Sequence, residues 1–211
     1  MIVEKALEQG IRVKIVPLDV LERTKVFFQR FLTEQPLDDF QKMVITEWHT
    51  TDIPPDLGFE PKSVVVTAWN CIENTKGTAD CESLLSDAGA KFHNVPGIPK
   101  KFLAASLGMA GYGKNNVLMF EGWGGFGRIG TFLTDIEPPA NYHWQEVVCA
   151  TICDDCSICV DNCPSGALDA KRFLIHASKC LNVNDHNENV CFQCHRICPT
   201  SVKILKGRGN I

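Results

Sequence analysis

Four cysteines at spacings of three, three and four occur in CDDCSICVDNCP, residues 153 to 164, with a proline after the last. A second run, VCFQCHRICP at residues 190 to 199, holds three more and also ends in Cys-Pro. In C-x2-C-x2-C-x3-C-P the three close thiolates cap corners of one cubane iron-sulfur cluster, and the fourth, held back by proline, ligates a different cluster. One such run therefore implies a second centre. On this rule Cys153, Cys156 and Cys159 bind cluster one, and Cys163 is donated to cluster two. Reciprocally, Cys191 and Cys194 bind cluster two, while Cys198 returns to complete cluster one. Cluster two is then one ligand short, and Cys180, the unassigned cysteine between the runs, supplies it. Two clusters need eight thiolates, and the stretch from Cys153 to Cys198 carries eight.

Zinc is the competing occupant, because all-cysteine zinc sites also use C-x2-C pairs. The tail of the iron-sulfur pattern, C-x2-C-x3-C-P, occurs twice here, and that favours iron-sulfur. Cys71, Cys81 and Cys149, the other three of the eleven cysteines, read as small buried residues. A disulfide scaffold would be shorter and would follow a signal peptide, whereas MIVEKALEQG puts charges where the apolar core of such a peptide belongs. No stretch approaches the roughly 18 apolar residues of a membrane span. A cytoplasmic protein with metal-bound thiolates is expected. Two cubanes in reciprocal ligation lie close enough to exchange electrons, so electron transfer is the expected minimum function.

These ligands need a body to sit on, and 211 residues with 45% hydrophobic content supply one. Residues 1 to 9 read as a short helix stopped by Gly10, and RVKIVPL, 12 to 18, as a strand. Apolar residues at helical intervals predict a helix from Asp19 to about Gln35, closed by Pro36. SVVVTAW, 63 to 69, is a β-branched run that suits a buried strand. PKKFLAASLG, 99 to 108, reads as a helix, while NVLMF, 116 to 120, and RIGTFLTDI, 128 to 136, read as strands flanking EGWGGFG. Composition shifts near residues 137 to 144, which divides the chain into an α/β domain, 1 to 145, and a cysteine module, 146 to 211.

GMAGYGKN, 108 to 115, matches G-x-x-x-x-G-K but offers Asn115 where a P-loop needs Ser or Thr, and it follows a helix rather than opening one. An ATP site is not expected. Its glycines permit close approach to a large flat ligand, with Lys114 available to an anionic group. EGWGGFG has the same freedom, and also reads as an ordinary tight turn between strands.

In order, LAASLGMAGYGKNNVLMF, a glycine-rich turn, GRIGTFLTDIEPP, CDDCSICVDNCPSGAL and NVCFQCHRICP resemble the cobalamin-dependent iron-sulfur reductases, the epoxyqueuosine reductases and reductive dehalogenases, over about residues 60 to 200. The resemblance implies a nitroreductase-like α/β (α+β) domain that binds cobalamin, followed by a ferredoxin-like module with two 4Fe-4S clusters. It implies that Gly111, Gly113, Lys114 and Asn115 line the cofactor pocket, with FMN as the alternative occupant. Between SVVVTAWN and LAASLG only about thirty residues intervene, fewer than in that superfamily, and no counterpart of its proton-delivering aspartate is found. The helical-repeat extension of the epoxyqueuosine reductases is not matched either.

With cobalamin bound, the clusters would reduce cobalt in single-electron steps, for which cluster potentials reaching about −700 mV suffice. A proton donor is also required. Tyr112, one of two tyrosines and set inside the glycine segment, is the candidate by position. Without cobalamin the chain is an electron carrier or accessory reductase that reduces a partner protein. The six histidines show no ligand spacing, and His143 and His195 read as neighbours of the cluster module. The expected partners are a low-potential donor such as ferredoxin or flavodoxin and a small-molecule substrate, with a homodimer completing the shortened pocket. The net charge of −4 argues against nucleic acid, although Lys203, Lys206 and Arg208 make the tail basic.

Overall fold

SVVVTAWN forms the strand at the centre of the sheet, buried at all eight positions. A computed structural model describes residues 2–34, 37–48, 51–145, 150–169, 176–181 and 191–207. In chain order the body comprises α1 (Ile2–Glu8), β1 (Ile11–Pro17), α2 (Asp19–Glu34), α3 (Asp39–Met43) running into a π-helical turn (Val44–Trp48), and β2 (Ser63–Asn70). It continues with α4 (Thr78–Asp87), β3 (Phe92–Asn94), α5 (Lys100–Ser106), β4 (Gly111–Tyr112), β5 (Leu118–Met119) and β6 (Gly127–Thr134). The cysteine-rich stretch holds short elements: 3-10 turns at Thr151–Cys153 and Ala177–Lys179, then α6 (Ile158–Asp161), α7 (Gln193–Arg196) and α8 (Pro199–Lys206).

The main sheet has the order β1-β2-β6-β3 and is antiparallel at every pairing. Successive side chains of a strand point to opposite faces, and β2 buries both. Val64, Val66 and Ala68 join Val20 and Leu21 of α2 and Leu103, Ala104 and Ala105 of α5 in one apolar cluster. Val65 and Trp69 join Ala6 of α1, Leu84 and Leu85 of α4, and Phe132 of β6 in the other. A sheet covered by helices on both faces is thus built from antiparallel strands, a mixed α/β arrangement of the α+β kind. No helix among the described residues is long and apolar enough to cross a membrane.

NVLMF, expected as a strand over 116 to 120, is extended only at Leu118–Met119, which pairs with Gly111–Tyr112 in a hairpin separate from the main sheet. The turn between them is set by the Gly113 N–H, which donates to Val117 O at 2.7 Å, and by Asn116 at φ 59°. The connection after β2 contains α4 and β3. Gly77 precedes α4 at φ 48°, and a Cβ there would lie 2.4 Å from the Trp69 indole nitrogen, so the chain can enter this helix only with glycine.

Cys81 on α4 is fully buried, and burial pushes its thiol up to about 11. The nucleophile is the thiolate, which burial disfavours. Native protein at pH 8 is therefore expected to leave Cys81 unmodified by iodoacetamide, while unfolded protein alkylates it fully; peptide mass mapping reads the difference. Cys71 is half-buried, and Cys149 lies outside the described residues. The expected division at 145/146 adjoins the same undescribed stretch, 146–149.

Candidate metal centre

Short turns bring the cysteines of the two runs together. Cys153 ends a 3-10 turn, and the Cys156 N–H donates back to its carbonyl at 3.2 Å. Cys159 lies on α6, which packs against α7, the carrier of Cys194. Cys198 immediately precedes α8, whose first residue, Pro199, has no N–H to lose at a helix start. Cys153, Cys156, Cys159 and Cys198 line one pocket, together with Asn115, Met119 and Pro199. Around Cys194 the neighbouring sulfurs are Cys180, Cys191 and Cys163. Each group of four thus takes one member from the opposite run.

The charges of these thiols interact. Burial, and then the neighbouring Cys153, Cys198, Cys194 and Cys156, push Cys159 up to about 11. Cys194 is likewise pushed up to about 11, first by burial and then by Cys180, Cys191 and Cys163. Because Cys159 senses Cys194, the two groups adjoin. Burial raises Cys153 as well, partly offset by a hydrogen bond from the Lys114 backbone N–H. Cys163 is the exception: burial raises it, but the backbone N–H groups of Ser165, Ala167 and Leu168 and the Ser165 hydroxyl together outweigh burial and lower it. Four thiolates crowded into partly buried space repel one another and need a cationic core to coexist. Among the described residues no three His, Cys, Asp or Glu side chains close on a point as ligands of a single ion do.

The glycine-rich segments pack against this module. A Cβ on Gly111 would lie 2.8 Å from Ala150 Cα, and the Ala150 N–H donates to Tyr112 O at 2.8 Å. Gly113 faces the Asn115 side chain and Met119. Lys114 Nζ donates to Asp154 O at 3.0 Å, and Asn115 Nδ2 donates to Cys194 O at 3.4 Å. Gly124 is closed by Ile204 and Thr200 of α8, and Gly127 by the Phe120 ring. Tyr112 belongs to the apolar cluster between the sheet and α5, where burial raises its phenol and keeps it protonated. The second tyrosine, Tyr142, donates to Asp19 on α2.

Residues outside the cysteine runs also contribute. Asp38 accepts from the Ser178 N–H at 3.2 Å and the Ser178 hydroxyl at 2.8 Å, which ties the start of α3 to the turn before Cys180. His143 sits over Gly108 and pairs with Gln145 at 3.0 Å. His195 is half-buried beside Cys194; burial lowers its pKa, reinforced by Arg128 and Lys101. Asp38 and Ser178 meet from distant segments, so spacing in the chain does not reveal their contact.

An antiparallel sheet sheathed by helices, with a cysteine-rich module seated on its glycine turns, defines the class of structure. The chain has the fold of the epoxyqueuosine reductases. It is 15% identical to the epoxyqueuosine reductase of Streptococcus thermophilus, with a TM-score of 0.62, over 95% of this chain and 65% of that one. The enzyme from Bacillus subtilis, solved with its catalytic loop swung out of the active site, is 14% identical with a TM-score of 0.57, over 95% of this chain and 64% of that one. An epoxyqueuosine reductase with a modified tRNA stem loop superposes at 0.60, with 15% identity, over 95% of this chain and 64% of that one. That complex weighs against excluding nucleic acid from this fold. A catabolic reductive dehalogenase in complex with 3-bromo-4-hydroxybenzoic acid aligns over 67% of this chain and 26% of its own, with 14% identity and a TM-score of 0.52. The chain therefore spans about 65% of the length of the epoxyqueuosine reductases it matches. No family model matches the sequence, and neither does any curated protein.

Proposed function

We propose that the chain is an iron-sulfur reductase that holds two 4Fe-4S clusters and hands single electrons to a small molecule. The observation that carries this reading is the pocket shared by Cys153, Cys156, Cys159 and Cys198, which draws on both runs. The donor set fits the clusters: each group is all sulfur, the groups adjoin, and Cys159 in one group and Cys194 in the other resist ionisation until a cationic core compensates them. When bound, such clusters supply one-electron transfer at low potential. The chain tunes and secures them. Backbone N–H groups directed at Cys163 draw charge off its sulfur and raise the potential on that side, and the single N–H from Lys114 does so less at Cys153. Asp38 holds the Ala177–Lys179 turn in place, so that Cys180 faces its three partners.

Cobalamin does not fit at the residues expected to hold it. The open sides of Gly111 and Gly113 are filled by Ala150, Asn115 and Met119, and Tyr112 is sealed in the core. Their surroundings support a different role, seating the cysteine module on the α/β body, and no step is routed through a corrin or a flavin there. A low-potential ferredoxin or flavodoxin is the proposed donor. Anaerobically reconstituted protein should contain roughly eight irons and eight sulfides per chain, as two cubanes require. On dithionite reduction the electron paramagnetic resonance spectrum should show two interacting half-integer spins. About four irons, or zinc in their place, would refute the reading.

A further inference from the structure

A second, larger pocket of about 390 Å³ opens between α5, the β4-β5 hairpin, the start of β6 and α7. Three cations meet in it, Lys100 and Lys101 from the first turn of α5 and Arg128 from β6, and His195 joins them from α7. No carboxylate lines it, and none of the three is ion-paired among the described residues. Lys101 is held in place by Asn116 O at 3.1 Å. The rest of the lining is apolar: Val117, Leu118 and Ile129, with the half-exposed Phe192 ring at the rim, edge-on to His195.

Like charges gathered in a recess repel one another. An entering anion reverses the sign of that interaction. Arg128 presents a planar fork that matches a carboxylate or phosphate, and the lysines add point charges. A concave apolar surface with a few convergent polar groups is also the usual make-up of a small-molecule site. We propose that this pocket binds small anions with a flat apolar body, aryl carboxylates or aryl phosphates, the charged head on Arg128 and the lysines and the ring against Val117, Ile129 and Phe192. Its position one residue from Cys194 makes it the substrate site of the reductase, and that role rests on the function proposed above.

The test uses cluster-loaded protein under anaerobic conditions and fluorine NMR of para-fluorobenzoate. Binding is expected, and para-fluorobenzylamine, with the same ring and opposite charge, should not bind. Acetate, a head without a body, should compete poorly. Arg128→Ala and, separately, Lys100→Ala should each weaken para-fluorobenzoate about tenfold or more, with iron content unchanged. Both side chains lie at the surface of the body and neither is a cysteine, so folding is expected to survive. The pocket assignment is overturned if the amine binds as well as the acid, if neither variant alters binding, or if the acid fails to bind at millimolar concentration. Protein with both clusters that ignores para-fluorobenzoate defeats this inference alone. Protein that binds it but assembles no iron defeats the reductase reading alone.

Discussion

Replacing Cys198 with alanine is expected to destroy the cluster held by the first cysteine run while sparing the one held by the second. Cys198 follows Cys194 by four residues and lies far in sequence from Cys153, yet its sulfur faces the pocket of Cys153, Cys156 and Cys159. Losing one of four thiolates leaves a cubane with an open corner, and iron should fall from roughly eight to roughly four per chain. The surviving spectrum identifies which centre was lost. Cys198→Ala should match Cys156→Ala in its uncoupled signal and midpoint potential, and should differ from Cys191→Ala. Cys163→Ala, the reciprocal test, should match Cys191→Ala, because Cys163 is among the neighbours of Cys194. If Cys198→Ala instead matches Cys191→Ala, each run serves its own centre and the crossed arrangement is wrong. A serine at position 198 controls for folding, since it keeps the size of the side chain and lacks the thiolate.

The crossed ligation is a reading of the sequence, in which cluster chemistry ties residue type to spacing and a proline after the last cysteine marks the exchange; the pocket that Cys198 shares with Cys153, Cys156 and Cys159 supports it. The central strand was legible for a similar reason. Burial on both faces erases alternation, so SVVVTAW, 63 to 69, reads as a run rich in β-branched and aromatic residues, and the strand Ser63–Asn70 stands buried at all eight positions. The α2 helix could be placed to within a residue because Asp19 opens it and Pro36 follows it. Other features had no local signature. NVLMF has strand composition, but the Gly113 to Val117 turn commits it to a hairpin with β4 instead of the main sheet. The glycines of GMAGYGKN and EGWGGFG read as freedom to approach a ligand, when all but Gly122 lie close to this chain's own atoms, Ala150 at Gly111 and Thr200 and Ile204 at Gly124 among them. A glycine states that something comes close without stating what. The cationic pocket was invisible because Lys100, Lys101, Arg128 and His195 lie on three separate elements that only the fold brings together.

Asn115→Asp should lower the midpoint potential of the first-run cluster by on the order of 100 mV. Asn115 is 5% exposed and lines the pocket of Cys153, Cys156, Cys159 and Cys198. Its Nδ2 donates to Cys194 O at 3.4 Å, and its Oδ1 accepts from the Val117 N–H at 3.3 Å, so one side chain touches the surroundings of both sulfur groups. Aspartate has the same shape and adds a negative charge. At an effective dielectric of about 20, two unit charges roughly 6 Å apart interact by about 3 kcal/mol, which opposes adding an electron to an already anionic centre. On a one-electron couple that energy corresponds to a shift on the order of 100 mV. Burial raises a carboxyl pKa, so the shift should be full at high pH and fade as pH falls and the group protonates. Asn115→Leu separates charge from hydrogen bonding: it leaves Cys194 O and the Val117 N–H without their partner, costing about 1 to 3 kcal/mol of stability, and should move the potential far less. Redox titration followed by electron paramagnetic resonance reads both variants. Unchanged potentials in Asn115→Asp across the pH range would show that this side chain does not face the cluster, and the pocket would then need a different occupant.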